Sequence, residues 1–160
     1  MLLFFINVMS VMVDDSVRTH TALHVLKGAV QVVLGAKWTA SVYVEGKHGR
    51  LTVQFDRKPT DEEVSRIEEL TNKKILENQP VEELEMDRSE AERVWGDRIY
   101  DLFPLPPGIT RVKILHIKDW NVNACKSNHC KTTGEIGGIK IEKVRFRPAK
   151  RLLEISFNVI

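Results

Sequence analysis

The chain is poor in cysteine, and it has no apolar stretch long enough to cross a membrane. Its 160 residues hold two cysteines, Cys125 and Cys130. A disulfide between positions so close would close a very small loop and stabilise little. Cysteines beside a histidine in a charged sequence read instead as metal ligands or free thiols. That reading places the chain in a reducing compartment, and a cytoplasmic location is expected. The longest apolar run, residues 1–13, falls short of the roughly 20 residues a spanning helix needs. It also lacks the basic start and small-residue cleavage site of a secretory signal, so no membrane partner is expected. Residues 1–16 are expected to be either a buried first strand or an extension ahead of a natural start at Met9 or Met12. Internal repeats and low-complexity tracts are absent too.

What is present suits one globular domain. A chain of this length, 42% hydrophobic and with a formal charge of +2, buries a sizeable core without a disulfide or metal as a staple. Residues 19–34 carry Leu23, Leu26, Val30, Val33 and Leu34 at helical spacing, with Thr19 as the expected N-cap and Gly35 as the stop. Two alternating runs, residues 38–45 and 50–56, flank Gly46-Lys47-His48-Gly49 and read as a β-hairpin. Thr60 and Glu63 form a capping box ahead of a helix expected to reach about residue 78. A short strand over 81–86 and a short helix over 89–95 follow. Further strands are expected at 110–117, 139–146 and 152–159, with a long polar loop over 119–138. Helices and hairpins without strict βαβ alternation imply an α+β fold, with a mainly antiparallel sheet, an N-terminal metal-binding helix and one or two further helices.

Two residue pairs carry the chemistry. His20 and His24 lie one helical turn apart, so their imidazoles lean the same way and can chelate one cation. Cys125 and His129 repeat that spacing about a hundred residues later, adding a thiolate and a third imidazole. Three histidines with one cysteine favour zinc, and they resemble the catalytic rather than the thiolate-rich structural sites. The adjacent Cys130 is an alternative to His129 as the fourth ligand. A metalloprotease is excluded, because Thr21 stands where the H-E-x-x-H motif places its general base. The remaining histidines read as incidental, His48 exposed in a turn and His116 packed or at a strand edge. Trp38, Trp95 and Trp120 read as core or rim anchors.

These motifs have a family context. Arg18-Thr19-His20-Thr21-Ala22-Leu23-His24, Lys37-Trp38-Thr39, residues 119–125, His129 and Thr133-Gly134-Glu135-Ile136-Gly137 resemble the editing domain shared by alanyl- and threonyl-tRNA synthetases. Within it they are most similar to the AlaX family of alanyl-tRNA editing proteins in its short archaeal form. The resemblance covers residues 17–160 as the editing domain. It implies a zinc-dependent deacylase that hydrolyses the ester linking serine, with glycine as a second candidate, to tRNA(Ala), with the acceptor end of the mischarged tRNA as partner. It carries zinc ligation onto His20, His24, Cys125 and His129. It also assigns Thr39 to face the serine hydroxyl and the Thr133, Gly134 and Gly137 segment to line the pocket near the tRNA end. Thr39 and His129 are the catalytic candidates. No side chain stands out as general base, and backbone donors over residues 134–138 are candidates for stabilising an oxyanion. The sequence departs from synthetase-embedded relatives at Cys125-Lys126-Ser127-Asn128-His129, where they often read C-G-G-T-H. The chain has no room for an activation domain, so the expected activity is deacylation without charging. Lys143, Arg145 and Arg147 alternate with Val144 and Phe146, a pattern that puts three cations on one strand face for phosphate contact. The acidic helix after Thr60 is expected to face away from any tRNA. The rival functions are a non-catalytic, zinc-containing tRNA-binding module and a hydrolase of small esters or amides.

Overall fold

A computed structural model describes residues 13–160. The expected first strand or extension at the apolar start lies, but for its last few residues, outside them. The first helix, α1, spans Asp15–Leu34 and starts one turn earlier than its apolar spacing suggests. Asp14, not Thr19, is its N-cap, accepting the Ser16 N–H at 2.8 Å. Thr19 lies inside the helix, wholly buried, with its single hydroxyl proton shared between Asp15 O and Gly46 O. Gly35 ends α1 in the left-handed conformation (φ 69°), with its N–H on Gln31 O.

Strands β1 (Thr39–Glu45) and β2 (His48–Gln54) form the expected hairpin. The turn is tighter than the sequence suggested, because His48 and Gly49 already belong to β2. His48 is therefore half-buried, with Nδ1 3.0 Å from Asn158 Oδ1 on a neighbouring strand. Helix α2 (Asp61–Leu76) begins with the full reciprocal capping box of Thr60 and Glu63. Strand β3 (Glu82–Asp87) runs directly into α3 (Arg88–Trp95), and a 3₁₀ turn follows over Gly96–Ile99. Strand β4 (Arg111–Ile117) precedes the segment expected as a long loop. That segment instead contains β5 (Asn121–Ala124) and a 3₁₀ turn, Thr133–Ile136. Strands β6 (Ile139–Arg147) and β7 (Leu152–Val159) complete the chain.

All pairings are antiparallel, but the strands form two sheets, ordered β1-β2-β7-β6 and β3-β4-β5. This is the expected α+β class. Helix α1 is buried on nearly every side from Thr19 to Val30, as its continuous apolar character requires. It packs on β2 and β7, against α2 and against β5. The main core joins Leu26 and Val30 of α1 to Leu51, Val53, Leu153, Ile155 and Phe157 of the larger sheet. A smaller core under α3 holds Ala91, Ile99, Val112, Ile114 and Val122. Helix α1 thus meets both sheets, which lets a side chain on it face residues from β1 and from β5.

Candidate metal centre and adjoining cavity

The four expected ligands converge. His20, His24, Cys125 and His129 each direct one ligand atom into a common point, all within 4.8 Å of one another. His20 Nε2 lies 3.3 Å from Cys125 Sγ, and His129 Nε2 lies 3.5 Å from the same sulfur. Tetrahedral zinc with nitrogen at about 2.0–2.1 Å and sulfur at about 2.3 Å has ligand–ligand edges of roughly 3.3–3.8 Å.

Each ligand is held by a distinct local device. His20 and His24 sit at i and i+4 on a helix buried from Thr21 to Val30. Cys125 continues the β4–β5 ladder one residue past β5, its N–H donating to Lys113 O at 2.9 Å. His129 lies in a loop, yet the loop is anchored: the Cys130 N–H donates to Thr21 Oγ1 at 2.9 Å, on α1 between the two histidines. Thr21, where a metalloprotease has its glutamate, is thus a structural tie. Cys130 is buried in the main core and is not among the four ligands. The departure from C-G-G-T-H leaves His129 at the site.

The outer partners fix the tautomers. His24 Nδ1 lies 3.1 Å from Asn121 Oδ1, and His129 Nδ1 lies 3.2 Å from Glu83 Oε2. Acceptors at both Nδ1 atoms put the protons there and leave the Nε2 lone pairs facing the cluster. His24 Nε2 is buried without any hydrogen-bond partner among the described residues. A buried acceptor of that kind is costly unless something binds it, and a cation satisfies it. Electrostatics agree. Burial and the nearby His129 push His20 down to about 4, and burial followed by its imidazole neighbours holds His24 well below its usual value. His129 is lowered by burial, with Glu83 opposing. All three rings are neutral at pH 7, as metal ligation requires. Burial raises the Cys125 thiol, a preference that a bound cation reverses.

A cavity of about 260 Å³ opens beside the cluster, lined by His20, His24 and Cys125 and also by Lys27, Thr39, Asp101 and Asn123. Thr39, the first residue of β1, is therefore placed with the ligands. Lys27, Asp101 and Glu83 were not singled out from the sequence, whereas Asn121 and Asn123 lay within the 119–125 motif without an assigned role. Lys27 had a signal, since it lies on the His20–His24 face of α1, seven and three residues on. The others come from strand register and the loop after the 3₁₀ turn, which leave no local pattern.

The Thr133–Gly137 segment is placed differently from its expectation. It does not line this cavity. Thr133 is wholly buried, donating to Lys74 O and accepting from the Gln79 N–H. The N–H groups of Gly134, Glu135 and Gly137 are taken by Asn78 Oδ1, Thr132 O and Gly134 O. These three N–H groups are not free to act as oxyanion donors. In β6 the bulge between Ile141 and Lys143 re-phases the strand, so Val144 and Phe146 pack on the core while Lys143 and Arg145 are exposed. Arg147 is partly covered and pairs with Glu154 at 3.2 Å. The acidic helix α2 lies against β6, with Glu68 Oε2 accepting the Ile141 N–H at 2.8 Å. His116 pairs with Glu82 and packs on Trp95. Trp120 donates Nε1–H to Val25 O and lies across Gly28.

No family model matches the sequence. Curated relatives are alanine-tRNA ligases. That of Methanopyrus kandleri is 38% identical over 148 residues, 86% of this chain, and that of Archaeoglobus fulgidus is 44% identical over 128 residues, 79% of this chain. The ligase of Hyperthermus butylicus is 43% identical over 129 residues, 79% of this chain. The chain spans only 14–16% of the length of these relatives. Over most of its length it is therefore related to one segment of alanine-tRNA ligases, which bears out the resemblance drawn from its motifs. No helix among the described residues is long and apolar enough to cross a membrane.

Proposed function

We propose that this chain, a relative of one segment of alanine-tRNA ligases, is an editing deacylase that hydrolyses a wrong amino acid, serine or glycine, from tRNA(Ala). One observation carries the reading: the four-ligand cluster opens onto a cavity whose wall presents the Thr39 hydroxyl. A closed structural site would have no use for such a cavity, and a general esterase would have no use for a buried hydroxyl-reading wall. The residues fit zinc by donor type, by spacing and by the unpartnered His24 Nε2. Bound there, zinc supplies a Lewis acid next to the ester.

The chain's own residues do the rest. Leu23, Val42 and Leu51 form the apolar part of the cavity wall and limit its water. Thr39 faces the amino acid's side chain. A hydroxyl there is satisfied, whereas alanine's methyl leaves the polar wall unpaired, and such mismatches are strongly discriminating. Glu83 and Asn121 hold His129 and His24 in their ligating tautomers. The exposed Lys143 and Arg145, with Arg147 beyond them, would contact tRNA phosphates. With α2 alongside, that contact is confined to the outer edge of β6.

The test is to incubate the protein with seryl-, glycyl- and alanyl-tRNA(Ala) and follow deacylation. The expected result is release of serine with alanine spared, and the glycyl substrate shows whether a side chain without a hydroxyl is also accepted. Equal rates for serine and alanine, or no release, would overturn the proposal.

A further inference from the structure

Lys27 is 5% exposed, at the floor of the cavity. An ammonium that deep costs several kcal/mol unless it is compensated, and its compensation here is specific. Lys27 Nζ donates to Thr39 Oγ1, and Thr39 is itself 5% exposed. Asp101, also in the cavity wall, supplies the opposite charge without an ion-pair contact. Its carboxylate receives Asn123 Nδ2 at 3.3 Å, and Asn123 Nδ2 is held in turn by Ile99 O at 3.0 Å. The Leu102 N–H on Thr39 O, at 2.8 Å, ties this loop to β1. Asn123 thus holds Asp101, Lys27 holds Thr39, and the two charges interact without an ion-pair contact.

The direction of the Lys27–Thr39 bond matters. An ammonium has donors and no acceptor, so Thr39 Oγ1 can only accept from it. Four other buried threonines spend their protons on backbone carbonyls: Thr19 on Asp15 O, Thr21 on Val17 O, Thr71 on Ile67 O and Thr133 on Lys74 O. Among the described residues Thr39 has no such acceptor, and its proton is left for the cavity.

We propose that Lys27 is a positioning residue for amino-acid selection: by occupying the acceptor side of the Thr39 hydroxyl, it makes Thr39 a fixed donor that reads an acceptor oxygen on the esterified amino acid's side chain. The inference rests on the deacylase reading above and goes one step past it, from which residue faces the side chain to what orients that residue. Burial lowers the Lys27 amine to about 8, with Asp101 opposing, so the ammonium predominates at neutral pH. In that form it is no base. A serine hydroxyl accepts the Thr39 proton. A methyl leaves buried donors unpaired, which is the expensive kind of mismatch.

The experiment compares wild type, Lys27→Met, Thr39→Val and the double variant, all metal-loaded. The first readout is the ratio of seryl- to alanyl-tRNA(Ala) deacylation in single turnover. The second is the ratio of binding constants for the non-hydrolysable 3′-seryl- and 3′-alanyl-amide adenosines. A Lys27→Met/Asp101→Asn variant removes both charges together, in case the single change leaves Asp101 uncompensated and the protein unfolded. Loss of one charge-assisted bond predicts that Lys27→Met lowers both ratios about 10- to 100-fold. Because Lys27 acts through Thr39, the double variant should be no worse than Thr39→Val. A wild-type ratio retained in the folded Lys27→Met or paired variant would overturn the inference and leave the deacylase reading intact. Multiplicative losses in the double variant would also overturn it, by showing that Lys27 acts apart from Thr39. No serine preference in wild type would instead remove the deacylase reading, and this inference with it.

Discussion

Replacing Glu83 by Ala should weaken metal binding without touching a ligand. Glu83 Oε2 lies 3.2 Å from His129 Nδ1 and 2.5 Å from Lys113 Nζ. Burial acts to raise its pKa, but the hydrogen bonds from Lys113 and His129 outweigh this and leave the carboxylate ionised. The His129 side chain is fully buried. Without Glu83 its Nδ1–H has no acceptor, and the tautomer that aims Nε2 at the cluster loses its support. Partners of this kind are typically worth 10- to 100-fold in metal affinity, or about 1.4–2.7 kcal/mol. Lys113 retains Ser127 O at 2.9 Å, so the cost falls mainly on His129. Glu83→Gln keeps an acceptor oxygen and should cost less than Glu83→Ala. The assay is a zinc titration in competition with a chromophoric chelator, paired with thermal unfolding of the metal-free proteins. A Glu83→Ala protein that folds normally and binds zinc as tightly as wild type would refute the reasoning.

Three further outcomes follow from the same geometry. Cys125→Ala should abolish tight zinc binding yet leave a folded domain by circular dichroism, because the main core closes without the metal; unfolding would favour the structural-zinc rival. Gly28→Ala places a methyl inside the Trp120 ring, so it should destabilise by about 1–3 kcal/mol in chemical denaturation, and by displacing Trp120 it should disturb the adjacent Asn121–His24 bond and zinc affinity. The metal-free protein should lose stability as pH falls from about 6.5 to 4. His20 has a folded pKa of about 4 against 6.5 unfolded, so the unfolded state binds its proton first and stability rises with pH across that window. Urea midpoints that stay flat from pH 6.5 to 4 would contradict this.

Much of this was legible in the chain because local rules dominated there. The capping box at Thr60, the glycine stop at Gly35 and the alternation in β6 and β7 each follow from spacing within a few residues. The ligand pairs were legible for the same reason, since each is an i, i+4 set. Thr19 misled as an N-cap because a threonine buried inside a helix and one capping it look alike until its neighbours are known. The second sheet was hidden because β5 is four residues long and pairs with β4 across a tight turn. Lys27, Asp101 and Asn123 come together only through the crossing of α1 with β1 and β5. In the Thr133–Gly137 segment the Thr133 hydroxyl and the Gly134 N–H tie the chain to the end of α2 and the turn after it, links that no local pattern announces.

The most direct test of the account pairs metal analysis with deacylation. Protein is compared as reconstituted with one equivalent of zinc, after chelator treatment, and after zinc is restored, using seryl-tRNA(Ala) and alanyl-tRNA(Ala) side by side. The account predicts one zinc per chain, serine release that is lost on chelation and regained with zinc, and alanine left in place. Serine release that persists in the metal-free protein, or alanine released as fast as serine by the zinc-loaded one, would contradict it.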